Sequence, residues 1–341
     1  MTSPNRRPPI FAFLLLAMML AAGGVLRLSI DAAHGWFTID LIGLSPRTLQ
    51  WPGSAIVWEL RLISVCAACA IGAALGVSGL MLQSMLRNPL ASPYIIGVSS
   101  GAGLAIAGVA WFGFVTTGAA SSSGVPVVAP VLGALGTLAL VYWLSRRRGA
   151  IDPTALVLTG IIVSLTFGAI TTLFQSLMPD RGMASVTRWV MGTIRSDTSW
   201  VGITMLAGLA IFGTGCAVLL GPRMDAMMLS DDEARSVGVR VGAVRTAMLG
   251  LAGVLTAGAV ILAGPIGFVG LVAPHMARVL VGHSHRSLVI ATALSGSALL
   301  VWAEAVVAEL RFSTGQIPVG VVTALIGGPI FIVLFRRSDM A

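Results

Sequence analysis

Ten apolar runs separated by short polar connections fill most of this chain, at about 10–30, 55–86, 94–118, 125–145, 153–178, 200–221, 243–263, 269–282, 287–308 and 318–335. A helix needs roughly 20 apolar residues to cross the hydrocarbon core, and only helices or closed barrels satisfy their backbone inside it. Runs of this length and number dictate an all-α, polytopic membrane protein. Composition agrees, because 56% of the 341 residues are hydrophobic and only 10% are charged, against about 25% charged in a soluble domain. The 41 glycines suit close helix approach in lipid. The run at 269–282 is short for a full crossing, so a broken or partly buried helix is expected there. Residues 1–341 read as one transmembrane domain: a first helix at 10–30, an external polar loop at 31–54, and the remaining helices over 55–335.

Arg6 and Arg7 precede the first run, as they would in a secretory signal. The run is long for a signal core, however, and Arg27-Leu28 is a poor cleavage site, so an uncleaved helix is the better reading. With the N-terminus inside, the inner side holds 14 arginines, including Arg146–Arg148 and Arg336–Arg337, and the outer side holds 7. That bias fits the positive-inside rule, and ten crossings return the C-terminus to the same cytoplasmic face.

All 21 basic residues are arginine. Without lysine the chain has no P-loop or Schiff-base amine, so ATP hydrolysis, if it drives this protein, belongs to another chain. The cysteines Cys66, Cys69 and Cys216 lie in apolar runs and read as small filler, although Cys66 and Cys69 are spaced as C-x-x-C.

One cytoplasmic connection carries unusual punctuation. After Gly221-Pro222-Arg223-Met224-Asp225 comes Leu229 to Gly238, in which Ser230 and Glu233 form a capping-box pair. Asp231 and Asp232 add charge that the first turn favours, Arg235 follows, and Gly238 is placed to end the helix left-handed. A short capped helix outside the membrane, over 229–238, is expected.

Other motifs weigh less. Gly97-Val98-Ser99-Ser100-Gly101 matches the G-x-S-x-G nucleophile pattern, which needs a preceding strand and a distant acid and histidine; no strand pattern precedes it. His283 and His285, with His275 nearby, sit among Arg278 and Arg286, which repel cations, so no metal site is expected. Glu304 lies inside an apolar helix, where an acid is a functional candidate by default; it could relay protons or pair with Arg311.

Several strings in order resemble one family. The first is Gly72 to Gly79, Gln83, Arg87-Asn88-Pro89-Leu90-Ala91-Ser92-Pro93, and Gly97 to Gly101. Trp189-Val190-Met191-Gly192 follows. The next runs Gly264-Pro265-Ile266-Gly267-Phe268-Val269-Gly270 through Pro274-His275-Met276-Ala277-Arg278, and the last is Ile317-Pro318-Val319-Gly320 through Gly327-Gly328-Pro329. From about residue 55 onward the chain is similar to the FecCD-type permeases of bacterial ABC importers for iron-siderophores, haem and vitamin B12. The resemblance implies ten helices, a second permease subunit (the same chain or a paralogue), two cytoplasmic ATPase subunits and an extracytoplasmic substrate-binding protein. It implies no cofactor and no nucleic-acid partner. In its terms, Ser230, Asp231, Asp232, Glu233, Arg235 and Gly238 couple to the ATPase. Arg61, with Glu59 and Arg311, would dock the binding protein, and Asp152-Pro153-Thr154 lies at the cytoplasmic gate. Where members often have a second external Arg, this chain has Ser64.

The expectation is an importer permease in the bacterial cytoplasmic membrane, carrying a ferric siderophore or similar chelate. Two rivals stand beside it: a proton-coupled secondary transporter working alone through Glu304, and an intramembrane enzyme built on Ser99 or Ser100.

Overall fold

The computed structural model describes residues 9–29, 55–118, 126–147, 150–195, 198–312 and 315–338. The expected loop at 31–54, and Arg148, lie outside the described residues. Each apolar run becomes a helix: α1 (Pro9–Ser29), α2 (Ala55–Leu86), α3 (Val98–Thr117), α4 (Val128–Leu144) and α5 (Pro153–Ser176). Then come α6 (Asp180–Val190), α7 (Trp200–Met227), α8 (Asp231–Ser236), α9 (Val241–Ala263), α10 (Val269–Val281), α11 (His285–Glu309) and α12 (Val319–Ser338). Among the described residues, seven helices are long and apolar enough to cross a membrane, and three shorter apolar ones join them. Helices α6 and α8 are not among these ten. The only strands described are two-residue pairs, Arg146–Arg147 with Ala150–Ile151 and Arg311–Phe312 with Gly315–Gln316.

The central element is α2, which packs against α7, α9, α10 and α11 and buries most of its length. Its 32 residues span about 48 Å at 1.5 Å per residue, well beyond a hydrocarbon core of roughly 30 Å, so it tilts or projects. Glycine permits the closest crossings. A Cβ on Gly72 would strike the carbonyl of Gly296 in α11, and one on Gly296 would strike that of Gly72. A Cβ on Gly79 would fall on the carbonyl of Gly270 in α10. Elsewhere the neighbour is a side chain, as at Gly253, which faces Leu138, and Gly23, which lies under Trp302.

Three expectations shift. The run at 94–118 divides into a 3-10 turn (Pro93–Ile96) and α3, because Pro93 supplies the turn's first residue and Gly97 (φ +77°) ends it. The connection expected after 221 is instead helical to Met227, through Pro222; buried Met224 and Met227 anchor the turn beyond the proline. The segment after 178, expected outside the membrane, contains α6. That helix follows Pro179, carries Asp180 in its first turn and Arg188 in its last, a charge order the helix dipole favours, and buries Gly182 and Val186. α10 is indeed short, at 13 residues, with Pro274 inside it.

Candidate functional site

The capped segment forms α8, narrower than 229–238 because Leu229 and Ser230 precede the first helical turn. The Ser230 hydroxyl accepts from the Glu233 amide at 3.3 Å, and the Glu233 carboxylate accepts from the Ser230 amide at 2.9 Å. The Ser230 hydroxyl also donates to that carboxylate at 2.7 Å, and these two donors, the hydroxyl first and then the backbone amide, hold the Glu233 carboxyl below its ordinary range. At the other end the Gly238 amide donates to Arg235 and the Val239 amide to Ala234, with Gly238 at φ +86°. Those two bonds are the Schellman pattern. Three apolar side chains on and around α8 stay largely uncovered: Met228 at 52%, Leu229 at 48% and Val237 at 64% exposed. Asp232 and Arg235 pair at 2.9 Å on the outer surface.

Asp231 turns the other way. Its carboxylate lies 2.7 Å from Arg87 at the end of α2 and 2.9 Å from Arg245 in α9. Arg87 also donates to the Met227 carbonyl at 2.7 Å; its backbone, at φ +47°, closes the end of α2, with the Arg87 amide donating to Ser84 and the Asn88 amide to Gln83. Burial works to raise the Asp231 pKa, but the Arg87 and Arg245 guanidiniums outweigh it and hold the group below the ordinary carboxylate range. The expected acidic docking strip therefore divides: Asp232 and Arg235 face outward, and Asp231 binds α8 to α2 and α9. Arg87 escaped sequence reading because its partner lies 144 positions away.

Beside this bracket, Asp225 on the last turns of α7 lies 2.6 Å from His285 Nδ1 and accepts the His285 amide at 3.1 Å. His285 Nε2 meets the Ser84 hydroxyl of α2 at 2.8 Å. Both ends of the α7–α8 connection are thus tied to the bundle by an aspartate. Where the resemblance implies a gate, Asp152 caps α5 by accepting from the Ala155 amide at 3.0 Å, with Pro153 opening the helix and Thr154 following. That amide, chiefly, holds the Asp152 carboxyl below its usual value.

At the end of the bundle expected to face outward, Arg61 is placed otherwise than expected. Arg61 is only 4% exposed and donates to the Leu28 carbonyl of α1 at 2.5 Å. A buried guanidinium holding a helix end cannot also present itself to a docking protein. Glu59 is exposed and accepts from the Trp200 indole at 3.2 Å. Arg311 contributes backbone to a strand pair with Gln316; its side chain lies outside the description. Glu304 pairs with Arg27 of α1 at 3.6 Å, a partner that the sequence reading did not name. Arg27 also donates to Ser64 at 3.4 Å. Replacing Arg61 with Glu puts a carboxylate against the Leu28 carbonyl and is expected to lower the amount of folded, inserted protein. Fluorescence-detected size exclusion of tagged protein reads this directly; an unchanged monodisperse yield would return Arg61 to the docking set.

The remaining motif residues serve the frame. Asn88 accepts from the Leu90 amide at 2.9 Å and, with Pro89, shapes the turn after α2. Gly101 lies against Gly133 and Thr137 of α4, and Gly270 against Pro93 and the Leu75 carbonyl. Pro274, His275 and Arg278 belong to α10, while Pro318 and Gly320 open α12. Nothing in the structure explains Gly267, which has open space around its Cβ position. The G-x-S-x-G string follows a 3-10 turn, with no strand before it, and Ser100 donates to its own Gly97 carbonyl at 2.8 Å. Among the described residues no three His, Cys, Asp or Glu side chains gather as metal ligands.

A model of the FecCD transport family matches residues 12–337. The cobalamin import permease BtuC of Halobacterium salinarum is 34% identical over 308 residues, covering 89% of this chain and 80% of its own. The ferric enterobactin permease FepG of Escherichia coli is 36% identical, covering 98% of each chain. Among solved structures, a transporter of the metal-chelate ABC type in an inward-facing conformation superposes with a TM-score of 0.81 at 30% identity. The match covers 97% of this chain and all of that one.

Proposed function

The chain belongs to the FecCD transport family, and on that premise we propose that it carries a ferric siderophore, or a similar large iron or cobalt chelate, as the permease subunit of an ABC importer. The observation that carries the reading is α8, a doubly capped helix clamped to the bundle through Asp231, with Met228, Leu229 and Val237 uncovered around it. Apolar side chains held on a rigid element outside the membrane suit a protein partner, here two cytoplasmic ATPase subunits. A chain with no lysine leaves nucleotide chemistry to them and catalyses no covalent step itself.

A second permease subunit fits α5, whose Leu158, Ile161, Ile162 and Leu165 are exposed along one face. The pathway would run between two such faces, with Asp152-Pro153-Thr154 at its cytoplasmic end. An extracytoplasmic binding protein would dock on the outer ends, where Glu59 is exposed and Arg311 precedes α12. Arg61 contributes by holding α1 in place. The siderophore reading draws on FepG, and the cobalt alternative on BtuC.

Reconstitution with ATPase and binding protein tests it. Uptake of a radiolabelled ferric siderophore should require internal ATP, and labelled cobalamin in the same vesicles separates the two chelates. Uptake driven by a proton gradient without the ATPase would transfer the function to a secondary transporter working through Glu304. Intact cells test orientation: a cysteine-reactive probe added outside should reach a cysteine placed at 31–53 but not at 147 or 339. Labelling of 147 in intact cells would reverse the assigned sidedness.

A further inference from the structure

Aromatic and basic side chains crowd the end of α4. Tyr142, Trp143 and Leu144 close the helix, and Arg146 and Arg147 follow the Ser145 cap. Trp143 is exposed, as an aromatic anchored among lipid headgroups would be. The Arg146 guanidinium lies over the Tyr142 ring, 5.4 Å from its centroid, within cation–π range. A two-stranded turn then pairs Arg146 with Ile151 and Arg147 with Ala150, and its second strand packs on α9, with Ala150 beside Gly242 of the first turn. Arg240, the exposed cap of α9, therefore joins exposed Arg146 and Arg147 at one end of the bundle. The acids around this end are already engaged. Asp152 accepts from the Ala155 amide and lies within electrostatic reach of Arg147 and Arg245. Asp231 is held by Arg87 and Arg245, Asp232 pairs with Arg235, and Glu233 caps α8. The face as a whole stays basic.

A groove of about 340 Å³ leads away from this cluster between α4 and α9. α4 supplies Leu135, Ala139 and Tyr142, and α9 supplies Thr246, Leu249 and Gly250. The α4 residues share one face at i, i+4 and i+7, over a rise of about 10 Å. Buried Leu249 and Leu138, which packs over Gly253, form the floor. The walls are low because Ala139 stands on one side and Gly250, with open space around its Cβ position, on the other. Tyr142 belongs to both features, since its ring lines the groove and carries Arg146. We propose that the α4–α9 groove binds an anionic phospholipid, with a stretch of acyl chain between Ala139 and Gly250 and the phosphodiester on Arg146 and Arg147. The planar guanidinium fork suits that group, because it offers two parallel hydrogen bonds to phosphate oxygens. The apolar walls admit hydrocarbon and the basic end selects charge, a combination that recognises lipid headgroups between membrane helices. The site needs only that the chain spans a membrane, and stands apart from the importer reading.

Native mass spectrometry of the full chain tests it, in mild detergent with equal amounts of phosphatidylglycerol and phosphatidylcholine of the same acyl chains. One phosphatidylglycerol per chain should be retained, favoured about fivefold or more over phosphatidylcholine. Arg146→Gln with Arg147→Gln should abolish most of that preference. Gly250→Leu fills the groove and should cut retained phosphatidylglycerol by a similar factor; Ala139→Leu fills it from α4 and gives the reading if Gly250→Leu is not monodisperse. Gly208→Leu on α7, another glycine with open space around its Cβ position, is the control and should bind like the unmodified chain. Equal retention of the two lipids by the unmodified chain would overturn the proposal. So would a preference that survives the arginine changes, or full retention in a monodisperse groove-filled variant. Displacement of the lipid by glycerol 3-phosphate, which has the charge and no tail, would also overturn it, since the arginines would then hold a free anion.

Discussion

Asp231→Ala is expected to reduce substrate-stimulated ATPase activity and uptake at least tenfold while leaving the permease inserted and monodisperse. The Arg245 side chain is 9% exposed, so removing its carboxylate partner strands a buried cation, a loss of about 3 kcal/mol. The Arg87 contact is a third exposed and adds little. Those energies fall on the attachment of α8, whereas the bundle is held by α2 and its neighbours, so coupling suffers before folding does. Asp232→Ala is the control: its side chain is 93% exposed and pairs only with Arg235 in its own helix, and activity should change by less than twofold. Equal losses from both substitutions would mean that surface charge, and not the internal clamp, does the coupling. The clamp also has an acid limit. A carboxyl whose folded pKa is depressed stabilises the folded form fully above its unfolded value, about pH 4, and loses that contribution only as pH falls through the lower folded value. Hydrogen exchange of the α8 amides, corrected for intrinsic rates, should therefore show constant protection from pH 8 to about 5.

Gly79→Ala is expected to destroy the packed protein. A methyl group at this position lands on the Gly270 carbonyl of α10, and the backbone of two buried helices must separate to admit it. Overpacking of a dense core costs up to about 3 kcal/mol, and more where the backbone must move. Thermal unfolding in detergent should show a large loss or no folded fraction. Gly208→Ala in α7, with nothing within 4 Å of its Cβ position, should be neutral or gain up to about 1 kcal/mol from helix propensity. If Gly79→Ala melts like Gly208→Ala, the α2–α10 crossing is not as close as described.

What the sequence made legible was whatever rests on local physics. The apolar runs marked the spanning helices because length in lipid is read directly from hydropathy. α8 was legible because Ser230, Glu233 and Gly238 act within a few residues of one another. The inward role of Asp231 was not, since Arg87 and Arg245 reach it through tertiary packing. The same holds for Arg27 with Glu304, which meet across two helices far apart in sequence. Pro179, Asp180 and Arg188 did signal α6, but its 11 residues carry too little apolar length to stand out beside the spanning runs. Burial of Arg61 had no local sign at all, since an arginine at a helix mouth looks alike whether it faces water or grips a neighbouring carbonyl.

The glycine crossings also decide which second-site suppressors can exist. Where the obstacle to a new methyl group is a side chain, a second substitution can trim it, so Gly253→Ala should be rescued by a smaller residue in place of Leu138. Opposite Gly79 and Gly72 the obstacle is a peptide carbonyl, which every amino acid carries. A selection for revertants of Gly253→Ala should recover changes at position 138, whereas revertants of Gly79→Ala should be restorations of glycine itself.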